Sequence, residues 1–433
     1  MQTGLAEETH VRDSIDVAGL PAPASLTTES NSVDASNIPY DAAETQDESE
    51  QNFRRGWIRR VIGGTFGFFG GCFNLVSLVV CLAVLAAIPI LQLIAFGYLL
   101  EVSGRLANGV KFSESLPHFR AAGRIGLVAT AVFLLALPVQ LLAHWESVAS
   151  LITPDSAQAT VLRFGAMAAA GLGVFYLGWA LARGGRLWHF LWPQPLKMLR
   201  SAWRPSTYAE LPDQLWQFTS SLRLPHYFWL GLRGFIGTLV WLVPAIVIIT
   251  VNRNGADASV GVIFALSLVA LGVVLMYLPM LQTHFAAENR LRSMFRLGQI
   301  RQLFCFAPLA WLVAMALGLA LLPVPLYLLK IEATPQEVVW LPTLFFVAFI
   351  LPSRLGFGLA MRRARRKLNE SQFKKPRGFF AACCRWTSRL AIPAVVGIYL
   401  AFVSISQYTS WDGLDTWIQQ HAILIPIPFP EGV

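Results

Sequence analysis

The sequence predicts an all-α, polytopic integral membrane protein: an N-terminal hairpin or re-entrant segment followed by about seven transmembrane helices. Three observations carry that reading. The chain is 55% hydrophobic and only 14% charged, with a mean hydropathy of +0.54, whereas soluble domains carry about 25% charged residues. Its apolar residues gather into runs of about 18 residues or more, the length at which a helix satisfies its own backbone across a bilayer. Between those runs, connections rich in Lys and Arg alternate with connections that are poor in them.

Residues 1–52 hold eleven Asp/Glu and one Arg, while residues 53–433 hold 14 Asp/Glu and 33 Lys/Arg. The first segment is rich in Ser, Thr and Ala, poor in large apolar groups, and reads as an acidic, disordered cytoplasmic tail. It lacks the basic start, apolar centre and cleavage site of a signal peptide. The basic excess of the remainder falls between apolar runs, as in cytoplasmic loops, so no nucleic-acid partner is expected. Five cysteines at 72, 81, 305, 383 and 384 do not form a disulfide framework pattern.

The first apolar run, Val61 to Leu100, is 40 residues long; as one helix it would measure about 60 Å against roughly 30 Å of hydrocarbon. Arg54, Arg55, Arg59 and Arg60 precede it, and Arg105, Lys111, Arg120 and Arg124 follow it. Both flanks favour the cytoplasm, which a hairpin satisfies, with its bend near Ala86-Ala-Ile-Pro89 and a short second arm from Ile90 to Val102. One long tilted span is the other reading. Further spans are placed at about 126–143, 164–182, 230–251, 260–282, 306–329, 338–359 and 390–410, within a transmembrane domain covering 53–410. Prolines 138, 244, 279, 308, 323, 342, 352 and 393 fall inside them and predict kinks.

Lys and Arg number four in 101–125, one in 144–163, six in 183–229, one in 252–259, four in 283–305, one in 330–337, ten in 361–389 and none after 410. By the positive-inside rule the N-terminus is cytoplasmic, and a short C-terminal tail, 411–433, faces outward from the cell membrane. Within 183–229, six basic residues alternate with Trp188, Trp192, Trp203, Tyr208, Trp216, Tyr227 and Trp229. Leu211, Leu215, Phe218 and Leu222 there recur at helical spacing, predicting an amphipathic surface helix. The most basic connection holds Arg362, Arg363, Arg365, Arg366, Lys367, Lys374, Lys375 and Arg377, the candidate contacts to anionic lipid headgroups.

No Asp or Glu falls in the interior of a run, which argues against proton relays and ion pathways. The deepest polar residues identified are Gln92, Gln140 and Gln282, read either as interhelical hydrogen-bonding groups or as a polar path for solute. Glu101 and Arg105 are four residues apart, as are His284, Glu288 and Arg292, an order that stabilises a helix face. No residue set supplies a catalytic nucleophile, a cofactor cradle or a complete metal site. Gly63, Gly67 and Gly71 recur every four residues, a spacing that permits close helix approach. Ile88-Pro-Ile-Leu-Gln92 and Leu278-Pro-Met-Leu-Gln282 both lead into a basic connection, which raises an internal duplication.

Trp57-Ile-Arg-Arg-Val-Ile-Gly-Gly64, Ile88-Pro-Ile-Leu91 and Phe96-Gly-Tyr-Leu-Leu100 resemble an uncharacterised bacterial multi-pass membrane family of unknown function (DUF4013-like), over about residues 57–142. Glu101 departs from that pattern, which has a basic residue after the exit. The resemblance implies a bacterial envelope location and brings no activity or functional residues.

The reading that follows is of a non-catalytic membrane protein whose basic, aromatic cytoplasmic surface engages anionic inner-leaflet lipid or a membrane protein partner. The alternative is a transporter or channel for a neutral or lipid-like solute, and a lipid-modifying enzyme is the third.

Overall fold

A computed structural model of the chain describes residues 65, 67–88, 90–153, 156–185, 211–251, 258–321, 340–372 and 378–405, with isolated positions between 189 and 209. Every regular element among the described residues is helical. The chain is an all-α polytopic membrane protein: among the described residues six helices are long and apolar enough to cross a bilayer, and up to seven if one bent pair is a single span. The acidic tail, the arginines before the first span, Pro89, Pro323, the 374–377 cations and the C-terminal tail lie outside the described residues.

The elements in chain order are α1 Gly67–Ala87, α2 Gln92–Ala107, α3 Phe119–Ile152 and α4 Ala157–Ala182. They continue as α5 Leu211–Ser221, α6 Leu224–Val251, α7 Ala258–Glu288, α8 Leu297–Phe306 and α9 Pro308–Met315. A π-helical turn at Ala316–Leu321 extends α9, and α10 Trp340–Glu370 and α11 Phe379–Ile405 close the order. α3 and α4 pack on each other and leave most of their apolar side chains exposed, among them Phe133, Leu137, Phe164 and Leu172. Such a surface is stable against lipid, which is as apolar as the side chains it meets.

The core forms around α2, which packs against α6, α7 and α10. Phe96, Leu99, Leu100, Val102 and Leu106 of α2 are fully buried, as a helix apolar on all faces requires. Small residues set the close approach. A Cβ on Gly97 would collide with the Tyr227 carbonyl, and one on Gly231 with the Leu93 carbonyl, so the backbones of α2 and α6 touch. Gly104 meets Ala286 of α7, and Gly358 of α10 meets Ser103 and Leu106. Gly67 and Gly71 have nothing within 4 Å of an added Cβ, and Gly63 lies outside the described residues; close helix approach occurs at 97, 104, 231 and 358.

The opening apolar run is two helices, broken at residues 88–91, where Ile90 takes the left-handed conformation at φ 71°. Asn74 and Ser77 of α1 lie against Gly123 and Gly126 at the start of α3. The Tyr98 hydroxyl of α2 donates to the Pro117 carbonyl just before that start, at 2.9 Å. Ala83, near the break, accepts from Thr343 at the start of α10, at 3.0 Å. Both arms thus reach one end of α3 while the break lies toward the other end of the bundle.

Two spans differ from expectation. The run from 306 does not cross straight: α8 and α9 meet at 109°. Pro308 at the first turn of α9 has no N–H to continue α8, and Ala307 leaves the helical conformation at φ −142° and ψ 55°. The remainder of that run, 322–329, is outside the described residues. α3 is also longer than its predicted core, because the helix continues through the polar residues that flank an apolar run. α5, Leu211–Ser221, forms within the stretch where Leu211, Leu215, Phe218 and Leu222 recur, with Leu215 and Trp216 exposed.

Candidate functional site

A polar seam runs through the centre of the bundle and widens at its basic end. Its deepest member is Arg354 of α10, fully buried between apolar neighbours. Its Nη1 donates to Gln282 Oε1 of α7 at 2.7 Å, and Gln282 Nε2 donates to Thr238 Oγ1 of α6 at 2.9 Å. Thr238 in turn donates to the Gly234 carbonyl at 2.7 Å. The guanidinium carbon stands 5.4 Å from the centre of the Phe96 ring of α2, a cation–π distance. No acidic side chain pairs with Arg354 among the described residues, and its Nε and Nη2 have no hydrogen-bond partner. An arginine so placed ties four helices together by one amide and one aromatic face. It retains two unused donors, which a site of low polarity makes costly.

Nearer the basic end, Asn108 caps α2 and Asn289 follows α7, the latter left-handed at φ 52°. Asn108 Nδ2 donates to the Ala287 carbonyl at 2.9 Å, and its Oδ1 accepts from Arg365 Nη1 at 2.7 Å. Asn289 Oδ1 accepts from Arg233 Nη2 of α6 at 2.8 Å. Each helix end is therefore held by an arginine from a neighbouring helix. Arg365 Nη2 also donates to His284 Nδ1 at 3.0 Å. That bond makes Nδ1 an acceptor and places the ring proton on Nε2, which faces Gln299 Oε1 at 2.9 Å and Glu288 Oε1 at 3.2 Å. Glu288 is shared with Arg296 at 3.5 Å; Arg292, the sequence-spaced partner, forms no such pair. Arg362 donates to the Val110 carbonyl at 3.2 Å.

A second polar group lies beside the start of α3. Glu101 bridges Arg105 at 3.0 Å and His226 at 3.5 Å. Tyr98 and His118 both meet the Tyr227 ring edge-on, with centroids 5.6 and 5.9 Å apart. Burial, followed by the Arg105 and Arg223 cations, pushes the His118 ring below the ordinary histidine value of 6.5.

The sequence-derived residues separate by role. Arg362 and Arg365 turn inward into the seam, while Arg363, Arg366 and Lys367 face outward. Arg366 is paired with Glu370 at 3.0 Å; Arg363 and Lys367 take part in no ion pair among the described residues. Gln282 joins Arg354, Gln92 opens α2 with its Oε1 buried and unpartnered, and Gln140 is exposed on α3. None of the three glutamines is in the lining of two grooves among the described residues, one beside Ala310 and Ala360 and one beside Tyr277 and Arg301. Arg354 and Arg233 escaped the sequence reading because basic residues were counted by connection. Both lie inside apolar runs and are the two that such a count leaves over.

The model of a family described as a protein of unknown function (DUF4013) matches residues 222–331. This is the family that the sequence was read to resemble, matched over 222–331 rather than over 57–142. The match covers α6 through the α8–α9 bend and contains Leu278-Pro-Met-Leu-Gln282, whereas 57–142 lies outside it. No curated protein and no solved structure matches the chain.

Proposed function

We propose that this protein is a non-catalytic membrane component whose basic, cytoplasmic end engages anionic lipid of the inner leaflet, directly or together with a membrane partner. One observation carries the reading: the helical period divides the basic cluster of α10. Arg362 and Arg365 are bonded inward to Val110, Asn108 and His284, which fixes the helix so that Arg363 and Lys367 point outward without acidic partners among the described residues. An outward cation near an anionic leaflet is worth about 1 kcal/mol. The exposed Trp216 of α5, the exposed Trp229 at the start of α6 and the exposed Trp386 of α11 add the aromatic component that favours headgroup depth.

The gathering of His284, Glu288, Arg296 and Arg365 is the kind of cluster a lipid-modifying enzyme would use. Both ring nitrogens of His284 are already bonded, and its side chain is 4% exposed. A general base needs a free nitrogen within reach of substrate, so the cluster is read as a clamp on the ends of α2, α7 and α10.

Thermal unfolding in nanodiscs tests the proposal. Phosphatidylglycerol should raise the midpoint over phosphatidylcholine, and Arg363→Gln with Lys367→Gln should reduce that rise. Equal midpoints in the two lipids would reject it.

A further inference from the structure

A groove of about 740 Å³ opens between α9, α10 and α11, within the roughly 300–1,000 Å³ range of small-molecule sites. Its floor is small and apolar, from Ala310 and Ala314 on α9 to Gly356 and Ala360 on α10. Exposed Leu309, Val313 and Leu359 form its apolar walls, and Phe380, 79% exposed, stands at its α11 edge. Both cations in its lining belong to α10: Arg363 and Lys367, one helical turn apart, at the basic end. They stand about 10 Å and about 16 Å along the helix from Gly356.

We infer that this groove is a binding site for one anionic phospholipid, with an acyl chain on the Gly356–Ala360 floor and the phosphate between Arg363 and Lys367. The inference rests on the proposed engagement of anionic lipid and assigns it a place. Charge complementarity selects the occupant. The apolar floor needs a hydrocarbon, and two unpaired cations at one end need an anion attached to it, which a neutral lipid or a second apolar helix does not supply. The low polarity of the floor excludes a free phosphate, which has nothing to place there.

The native cysteines report on occupancy. Cys305 and Cys384 line opposite sides of the groove, while the adjacent Cys383 is exposed outside it. N-ethylmaleimide labelling of each thiol is followed by mass spectrometry in phosphatidylcholine nanodiscs with and without phosphatidylglycerol. Phosphatidylglycerol should slow Cys305 and Cys384 by about threefold or more, the factor expected when lipid exceeds its dissociation constant, and leave Cys383 unchanged.

Arg363→Gln with Lys367→Gln should abolish the protection. So should Gly356→Leu, which fills the floor at a position where an added Cβ meets nothing within 4 Å. Equal protection by phosphatidylcholine, equal protection of Cys383, or protection that survives these variants would each overturn the site. If phosphatidylglycerol still raises the unfolding midpoint in that case, the wider lipid reading stands without the groove. If it does neither, both fail.

Discussion

Arg354 is a buried guanidinium held by Gln282 and the Phe96 ring, with two donors unused. Removing its amide partner leaves it worse off than removing both. Gln282→Leu should therefore cost about 1.5–3 kcal/mol, the range for a hydrogen bond to a charged group. The double variant Arg354→Met with Gln282→Leu should return to within about 1 kcal/mol of the parent or exceed it. Chemical unfolding in detergent measures both, and additive losses would show that Arg354 has a further partner. His118 gives the pH dependence. Its folded ring is harder to protonate than its unfolded one, so the stability it contributes is complete above about pH 6.5 and is lost as pH falls through the lowered folded value. The unfolding midpoint should drop as pH falls below about 6.5, and His118→Gln should flatten that drop. An unchanged slope would remove His118 from the account.

At the scale of elements, close helix contacts make opposite predictions for two glycines. Gly97→Leu drives a side chain into the Tyr227 carbonyl of α6 and should cost at least the roughly 1–3 kcal/mol typical of overpacking. Gly71→Ala, with open space around it, should be neutral or gain up to about 1 kcal/mol of helix propensity. A thermal melt of each variant distinguishes them. The spacing of glycines every four residues was legible in the sequence, but the partner backbone was not, since a glycine shows only that approach is permitted. The two Pro-x-Leu-Gln motifs are a related case. Gln92 begins α2, whereas Gln282 lies close to the end of α7, so the matched letters do not occupy matched places. The correspondence in structure is between Asn108 and Asn289: each ends a helix, accepts from an arginine and is followed by a 3-10 turn, Phe112–Glu114 or Leu291–Phe295. The break at 88–91 was legible because Pro89 and the helix length both required one. A kink at Pro308 was legible in the same way, but its 109° angle was not, because proline is also accommodated inside continuous helices, as Pro138 and Pro279 are.

For the whole molecule, apolar length and composition were sufficient to identify a polytopic helical protein, since a bilayer leaves so few alternatives. The central seam was only half visible. Gln282 stood out as a lone amide, but its arginine partner was hidden among cations assigned to loops. The outward and inward members of Arg362–Lys367 could be separated only once α2 and α7 supplied their acceptors. That division makes the basic end more than a charged surface: its inward arginines fasten the helix ends, and of its outward cations Arg363 and Lys367 have no ion-pair partner among the described residues. The most direct measurement is the lipid that stays with the protein. After purification from membranes equimolar in phosphatidylglycerol and phosphatidylcholine, native mass spectrometry should find phosphatidylglycerol enriched on the protein, with that enrichment lost on Arg363→Gln and Lys367→Gln. A bound ratio equal to that of the bulk membrane would contradict the account.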